Sequence, residues 1–283
     1  EKLAPASTTK LMTALLVLEK SKLDDKVTFS KTAVTNLESG AVKLGLVEGD
    51  QVSVKDCLYG LLLKSANEVA NGLAEHVSGS ISGFTDLMNA RAAELGCTNT
   101  HFVNPNGLNS DQQYTTCRDM AKIAAAAFAN KTLCEIDSTL SYKFPATKAA
   151  AARTITPGHK MLYPKDSRYY AGIIGGKTGY TSKAGNTLVT CVEKDGVRMV
   201  AVILKSKSTH YEDTKKMLEY GYQYVNTEKS GGTSTGKQVT AGHWVQDNGS
   251  WGYEFADGTK AVGTIYTIDA ADFGFDPDGK MVT

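Results

Sequence analysis

Three short polar clusters contain residue types that could together carry out nucleophilic chemistry. The first contains Ser7 and Lys10, the second Ser65 and Asn67, and the third begins at Lys177 in a Lys-Thr-Gly triplet. A serine hydroxyl is a weak nucleophile until a neighbouring base takes its proton, and a neutral lysine amine can be that base. Ser7 and Lys10 are therefore a candidate nucleophile and general base.

The first cluster lies where a helix is predicted to begin. Apolar residues repeat at helical spacing over residues 11–18, and Pro5 precedes them. A hydroxyl and an amine three residues apart share one face of a helix, and the N–H groups at a helix start favour developing negative charge. We therefore expect Ser7 at a helix start with Lys10 beside it. Burial and a second nearby cation would lower the pKa of Lys10.

Each cluster alone also has a purely structural interpretation. Ser7 could be a helix N-cap, Ser65 and Asn67 could cap the next helix, and Lys177 could protect an exposed strand edge. The Ser-x-x-Lys spacing even recurs at residues 234–237, in a stretch without a helix pattern. The order Ser-x-x-Lys, Ser-x-Asn, Lys-Thr-Gly is more specific, because it is typical of serine β-lactamases and penicillin-binding proteins.

Bulk properties exclude several classes of protein. The chain has 283 residues and a net charge of +1, which permits one large domain with a small one and offers no electrostatic footprint for nucleic acid. The five cysteines are widely spaced, and the histidines show no metal-ligand spacing, so neither a metal nor a cofactor is expected. We also expect neither a membrane span nor a signal peptide, as in a mature or trimmed chain.

Hydrophobic periodicity predicts a chain of mixed helices and strands, an α/β (α+β) pattern in which a predicted hairpin makes the sheet antiparallel. Helices are expected near residues 7–18, 53–63, 67–77, 84–95, 117–129 and 210–224. Strands are expected at 26–29, 170–176, 187–192 and 199–204, the last two joined by an Asp-Gly turn. Residues 139–166 are expected to contain short strands and irregular connections.

Composition changes after the last predicted helix. We expect a first domain over residues 1–228, a flexible Gly/Ser/Thr-rich linker over 229–240 and a small β-rich module over 241–283. Two Asp-Gly turns in the module suggest stacked aromatic hairpins. Its aromatic residues resemble those of cell-wall-binding repeats that stack on sugars or choline, although a small hydrophobic core is the favoured interpretation for most of them. The aromatic residues in question are Trp244, Trp251, Tyr253 and Phe255.

The chain resembles the low-molecular-mass penicillin-binding proteins of the D-alanyl-D-alanine carboxypeptidase family from residue 3 to about residue 224. Besides the three clusters, the matching stretches are residues 3–6, 58–63, 104–108, 118–121 and 211–213. The resemblance implies a β-lactamase/transpeptidase-like fold, with an antiparallel central sheet flanked by helices and a mainly helical subdomain. It also implies a serine peptidase that trims peptidoglycan stem peptides ending in D-Ala-D-Ala. It also implies covalent inhibition by β-lactam antibiotics and an extracytoplasmic place in the bacterial envelope or medium.

The resemblance assigns roles to the first two clusters. Ser7 would attack the carbonyl between the two terminal D-alanines while Lys10 takes its proton. Ser65 would relay a proton to the leaving amine, and Asn67 would orient Lys10 and the substrate amide. Water would then release the acyl group, whereas a second amine would give a cross-link.

The third cluster would bind the substrate. Lys177 would supply a positive field, Thr178 would hold the terminal carboxylate, and the N–H group of Tyr180, just after Gly179, would complete an oxyanion hole with that of the nucleophile. The family often places an arginine before the final helix, and here the matching position is His210. Carboxylate binding would therefore include a partly charged imidazole.

The sequence shows two further departures from the family and leaves two alternative functions open. The family's N-terminal strand is expected to be missing, because only six residues precede Ser7, and the C-terminal module is shorter than usual. A class A β-lactamase would share the three clusters, but no Glu-x-x-x-Asn element lies between Asn67 and Lys177. A non-catalytic cell-wall-binding protein on the same scaffold is the second alternative.

Overall fold

The computed structural model describes residues 1–229, 237–238, 241–247, 250–263, 265–268, 271–275 and 278–281. Its contacts divide the chain into two compact units, residues 1–218 and 219–283. The described residues contain no helix that is both long and apolar enough to cross a bilayer.

Helices occupy much of the first unit. They are α1 Lys10–Lys20, α2 Lys31–Thr35, α3 Val54–Leu63, α4 Asn67–Ser78, α5 Ile81–Glu94, α6 Cys117–Phe128, α7 Lys131–Asp137 and α8 His210–Lys229, which continues past residue 218. Short 3-10 helices cover Ala6–Thr9 and Lys160–Leu162. The strands of this unit are β1 Lys26–Thr28, β2 Gln51–Ser53, β3 Tyr142–Phe144, β4 Arg153–Ile155, β5 Ile173–Thr181, β6 Gly185–Lys194 and β7 Val197–Ser206.

The long strands form an antiparallel sheet in the order β5-β6-β7. In the register of this sheet Lys177 pairs with Val189, so the Lys-Thr-Gly triplet lies within β5. The sequence pattern placed the triplet just after the strand instead. Strand β5 starts at Ile173, later than the predicted residue 170. Near the N-terminus, Leu3 forms an isolated antiparallel bridge with Thr115 and does not join this sheet.

Helix α1 lies at the centre of the hydrophobic core. Its residues from Lys10 to Val17 are all buried, and it contacts α3, α4, α5 and α6. The apolar stripe from the sequence therefore lies against helices on several sides. Since α6 also packs on β6 and β7, the core runs from the helices to the sheet. This packing fixes the start of α1 relative to β5.

The N-caps of α3 and α4 show which polar residues act as helix caps and which do not. Ser53 caps α3, as predicted, because its hydroxyl accepts a hydrogen bond from the N–H of Asp56 at 3.0 Å. The N-cap of α4 is Ala66, which makes no side-chain capping bond. Ser65 and Asn67 are therefore not the side-chain cap of α4, and that structural alternative for the second cluster is wrong.

Several local predictions were incomplete. Ser7 lies in the 3-10 helix before α1 and not in its first turn, because the α-helix itself begins at Lys10. The short helices α2 and α7 were not predicted, since neither is long enough to show a repeating apolar pattern. The region 139–166 contains β3, β4 and one 3-10 turn.

The second unit is β-rich. Its strands are β8 Lys237–Gln238, β9 Gly242–Asp247, β10 Ser250–Phe255, β11 Ile265–Ile268 and β12 Ala271–Gly274, with antiparallel pairs β9–β10 and β11–β12. Tyr253, Tyr266 and Phe275 are buried together. Trp251, by contrast, is 46% exposed. Most of the predicted linker lies outside the described residues, although Lys229 ends α8 and residues 237–238 form β8.

Candidate active site

Ser7 and Lys10 are in direct contact, as their spacing predicted. The Nζ atom of Lys10 donates a hydrogen bond to Ser7 Oγ at 3.0 Å. Ser7 is half-buried, whereas Lys10 has no solvent-exposed surface. This arrangement places an amine directly on the hydroxyl that it would have to deprotonate.

The surroundings of Lys10 favour its neutral form. Burial lowers the pKa of Lys10 well below its ordinary value, and the positive charge of Lys177 lowers it further. The carboxylate of Glu68 opposes both effects. A neutral amine can accept a proton from serine, so this environment gives Lys10 the property that a general base needs.

Two further hydrogen bonds hold the amine of Lys10 in place. Its Nζ atom donates to Asn67 Oδ1 at 2.8 Å and to the backbone oxygen of Asn106 at 2.5 Å. The side chain of Asn106 in turn donates to Asn71 Oδ1 at 2.9 Å. Sequence reasoning found Asn67 but not Asn106, because a backbone acceptor leaves no signal in residue type.

Ser65 lies at the same site in a strained backbone conformation. Its φ is 61°, and Ala6, just before Ser7, has φ of 49°. A positive φ is uncommon for residues other than glycine and costs free energy that the surrounding structure must offset. The hydroxyl of Ser65 has no hydrogen-bond partner among the described residues, so it is available to a bound ligand.

Strand β5 brings the third cluster against the nucleophile. A Cβ atom built at Gly179 would lie 2.7 Å from the backbone nitrogen of Ser7, so only glycine permits this close approach. Lys177 is buried, and its Nζ atom donates to the backbone oxygen of Thr178 at 2.8 Å. Tyr180 is 67% exposed at the end of the triplet.

A cleft of about 600 Å³ unites most of the predicted site residues. It is lined by Ser7, Ser65, Asn67, Thr178, Gly179, Tyr180 and His210, together with residues of the loops 38–42 and 107–109. Lys10 and Lys177 are buried beneath this lining rather than part of it. Polar groups that could bind a peptide therefore line the cleft, while the amines of Lys10 and Lys177 lie beneath its surface.

His210 lines the cleft, and its surroundings oppose protonation of its imidazole. Burial lowers the pKa of His210, and the positive charge of Arg168 lowers it further, against the smaller opposing effect of Asp213. Its Nδ1 atom is buried without a hydrogen-bond partner among the described residues. This environment favours the neutral imidazole over the charged one.

A buried group beneath β5 was not predicted from sequence. Asp137, at the end of α7, accepts a hydrogen bond from the N–H of Gly176 at 2.6 Å. Burial raises the pKa of Asp137, whereas burial lowers that of Lys177, and their opposite charges moderate both shifts. Burial also lowers the pKa of His159 to about 3, so this histidine is neutral at physiological pH. The buried side chains of Asp137 and His159 therefore determine the local charge around Lys177.

The comparisons with known proteins agree with this geometry. A profile of the D-alanyl-D-alanine carboxypeptidase family matches residues 1–208. This chain belongs to that family. The D-alanyl-D-alanine carboxypeptidase DacF of Bacillus subtilis is 34% identical over 236 residues, covering 80% of this chain and 58% of the relative. A D-alanyl-D-alanine carboxypeptidase of Streptomyces is 36% identical over 231 residues, covering 76% and 78% of the two chains.

Solved structures of the family share the fold. The crystal structure of a Streptomyces DD-transpeptidase superposes with a TM-score of 0.70 at 32% identity, covering 79% of this chain and 89% of that one. A D-alanyl-D-alanine carboxypeptidase of Mycobacterium tuberculosis gives a TM-score of 0.70 at 30% identity, covering 79% and 83%. The mixed helical and antiparallel fold predicted from sequence is thereby confirmed.

The carboxypeptidase family relatives are not matched over their whole length. The chain spans 58% of the Bacillus subtilis relative and 57% of DacC, a D-alanyl-D-alanine carboxypeptidase of Escherichia coli. Among the described residues, no group of three or more histidine, cysteine or acidic side chains could hold a metal ion.

Proposed function

We propose that this chain is a serine-type D-alanyl-D-alanine carboxypeptidase that forms an acyl-enzyme on Ser7. The observation that carries the proposal is the 3.0 Å contact between Ser7 Oγ and the buried amine of Lys10. Lys10 takes the hydroxyl proton as Ser7 attacks the carbonyl between the two terminal D-alanines. The bond to the last D-alanine then breaks and leaves the rest of the peptide esterified to Ser7.

The second cluster completes the proton transfers. Ser65 lies in the cleft with an unpartnered hydroxyl and passes a proton to the departing amine of D-alanine. Asn67 holds Lys10 through its Oδ1 atom at 2.8 Å. Water then attacks the ester and releases the shortened peptide. One structural neighbour is described as a DD-transpeptidase, which supports an amine as a second possible acceptor.

Strand β5 binds the substrate in this proposal. The backbone N–H groups of Ser7 and Tyr180 stabilise the negative oxygen of the tetrahedral intermediate, where losing one such donor typically costs about 10²–10³-fold in rate. The close approach of Gly179 to Ser7 supports that pairing. Thr178 holds the terminal carboxylate, Lys177 supplies positive charge from below, and neutral His210 donates or accepts a hydrogen bond.

D-Alanine release from a soluble peptide tests the activity. We expect the wild type to release D-alanine from a pentapeptide ending in D-Ala-D-Ala, and Ser7→Ala to lower the rate by at least about 10⁴-fold, because no other group forms the ester. Ser182→Ala, which removes an exposed serine from the same cleft, is the matched control and should keep most of the activity. A wild type without release favours the non-catalytic alternative.

The substrate class implies where the protein works and what inhibits it. The proposed partners are peptidoglycan stem peptides, with β-lactam antibiotics as covalent inhibitors of Ser7, and the proposed location is extracytoplasmic, in the bacterial envelope or secreted. The class A β-lactamase alternative is disfavoured, because its deacylating Glu-x-x-x-Asn element is absent from the sequence between Asn67 and Lys177. Slow release of bound penicillin is therefore expected.

We further propose that the C-terminal module binds a cell-wall polymer. Trp251 supports this proposal, because it is 46% exposed while Tyr253, Tyr266 and Phe275 form the module's core. Its indole meets that of Trp244 edge to face, with ring centroids 6.5 Å apart. An exposed, supported indole offers the flat apolar face on which a sugar ring or a choline group can stack.

Retention on purified cell walls tests this module. Trp251→Ala should weaken retention by about three- to tenfold, as expected for the loss of one aromatic stacking contact. Tyr169→Ala is the matched control, because Tyr169 is an aromatic residue of the first unit with 39% exposure. D-Alanine release from a soluble peptide should be unchanged in both variants. Equal retention of Trp251→Ala and the wild type would remove wall binding from the account.

A further inference from the structure

A fully buried carboxylate lies next to the catalytic cluster and has no role in the steps above. Glu68 follows Asn67 in the first turn of α4 and has no exposed surface. Its Oε1 atom accepts hydrogen bonds from the N–H groups of Leu44 at 2.6 Å, Gly45 at 2.8 Å and Leu46 at 3.4 Å. Its Oε2 atom is buried without a hydrogen-bond partner among the described residues. Burying a carboxylate is costly, so this residue calls for an explanation.

The loop that Glu68 holds also contacts Asn67. The backbone oxygen of Val42 accepts hydrogen bonds from both the N–H group and the Nδ2 atom of Asn67, each at 3.0 Å. Two successive residues of α4 therefore anchor the loop segment 42–46. Because Asn67 Oδ1 accepts from Lys10 Nζ, the position of this loop is connected to that of the catalytic amine by a continuous chain of hydrogen bonds.

Glu68 also acts on Lys10 through its charge. The neutral groups that contact the amine are Ser7, Asn67 and the backbone of Asn106. The charged groups that act on it are Lys177 of β5 and Glu68 of α4, with opposite signs. Burial of the Cys57 thiol on α3, together with the nearby charges of Asp56 and Glu68, raises the pKa of that thiol, so Cys57 stays uncharged.

We propose that Glu68 is a positioning residue for the acylation step, which fixes the loop segment 44–46 beside Asn67 and offsets the charge of Lys177 at Lys10. The inference rests on the proposed acyl transfer at Ser7. The carboxylate has two separable effects. Its oxygen atom holds the loop in place, and its negative charge raises the pH at which Lys10 becomes a base.

The pH dependence of acylation separates these effects. Lys10 acts as a base when neutral, so the second-order rate of acylation by a fluorescent penicillin rises as pH passes through the pKa of Lys10. Glu68→Gln keeps an oxygen for the three N–H groups but removes the negative charge. We expect the acidic limb of the profile to move to lower pH by about 0.5–1 unit, while the high-pH rate stays within about threefold of the wild type.

Two other variants complete the experiment. Glu75→Gln makes the same substitution on the same helix, where the carboxylate accepts a hydrogen bond from Ser30 at 2.6 Å, and should leave the profile unchanged. Glu68→Asp keeps the charge but shortens the side chain by one methylene group. It should keep the wild-type inflection while the high-pH rate falls about tenfold, because the loop loses its acceptor.

The outcomes distinguish this inference from the function on which it rests. If the inflection of the pH profile is unchanged in Glu68→Gln, the charge effect is overturned. If Glu68→Asp acylates at the wild-type rate at high pH, the positioning effect is overturned. The Glu68→Asp measurement does not depend on whether Glu68→Gln folds. A wild type that no penicillin acylates overturns the proposed function and this inference with it.

Discussion

Replacing Lys10 with methionine is expected to lower the rate of Ser7 acylation by about 10²–10⁴-fold, the contribution typical of a general base. Methionine has a similar length and fills the same buried space, but it cannot accept a proton. The loss should be measured as the second-order rate constant for a fluorescent penicillin. Since the wild-type rate depends on neutral Lys10, it should also rise with pH through the lowered pKa of that amine, and the variant should lose this dependence.

Lys20→Met is the matched control for that experiment. Lys20 lies in the last turn of the same helix and is exposed, so its replacement should leave acylation unchanged. Circular dichroism should show that both variants fold. A Lys10→Met protein that acylates within tenfold of the wild type, with the same pH dependence, would contradict the role of Lys10 as the base.

Gly107→Ala is expected to disrupt the site from a loop far away in sequence. Gly107 has φ of 86°, and a Cβ atom there would overlap the backbone oxygen of Ala6, next to the nucleophile. The left-handed backbone and the steric overlap should together cost about 2–4 kcal/mol of unfolding free energy. The acylation rate should fall about 10²-fold, because a shift of Ser7 by up to about one ångström disturbs its alignment with Lys10.

Gly40→Ala distinguishes the effect of backbone strain from the effect of steric overlap with Ala6. Gly40 also lines the cleft and has a similar φ of 76°, but a Cβ atom there would meet nothing within 4 Å. It should cost only the backbone strain of about 1–2 kcal/mol and leave acylation nearly intact. If urea denaturation and acylation rates show equal effects for the two variants, then contact with Ala6 is not what makes Gly107 necessary.

The residues of the candidate catalytic cluster could be found from sequence because their types and order are specific. Ser7 and Lys10 were expected on one face of a helix, and the structure brings them within 3.0 Å. Asn67 was expected to orient Lys10, and its Oδ1 atom accepts from that amine. The triplet beginning at Lys177 was expected just after a strand; it lies instead within β5, which places Gly179 against Ser7.

The remaining features could not be predicted, because they depend on tertiary packing. The contact of Asn106 with Lys10 uses a backbone oxygen, for which residue type carries no information. The lowered pKa of His210 was not predicted, because it depends on burial and on a cation distant in sequence, Arg168. Glu68 was not singled out from sequence, because its hydrogen bonds to the loop segment 44–46 depend on the folded structure.

The mass of the protein after incubation with penicillin tests the central claim most directly. The account predicts one covalent adduct per chain, slowly released, and located by peptide mapping on the segment that contains Ser7. Ser7→Ala should show no adduct under the same conditions. An adduct on another residue, or rapid turnover of penicillin without any trapped adduct, would contradict the assignment of Ser7 as the nucleophile of a D-alanyl-D-alanine carboxypeptidase.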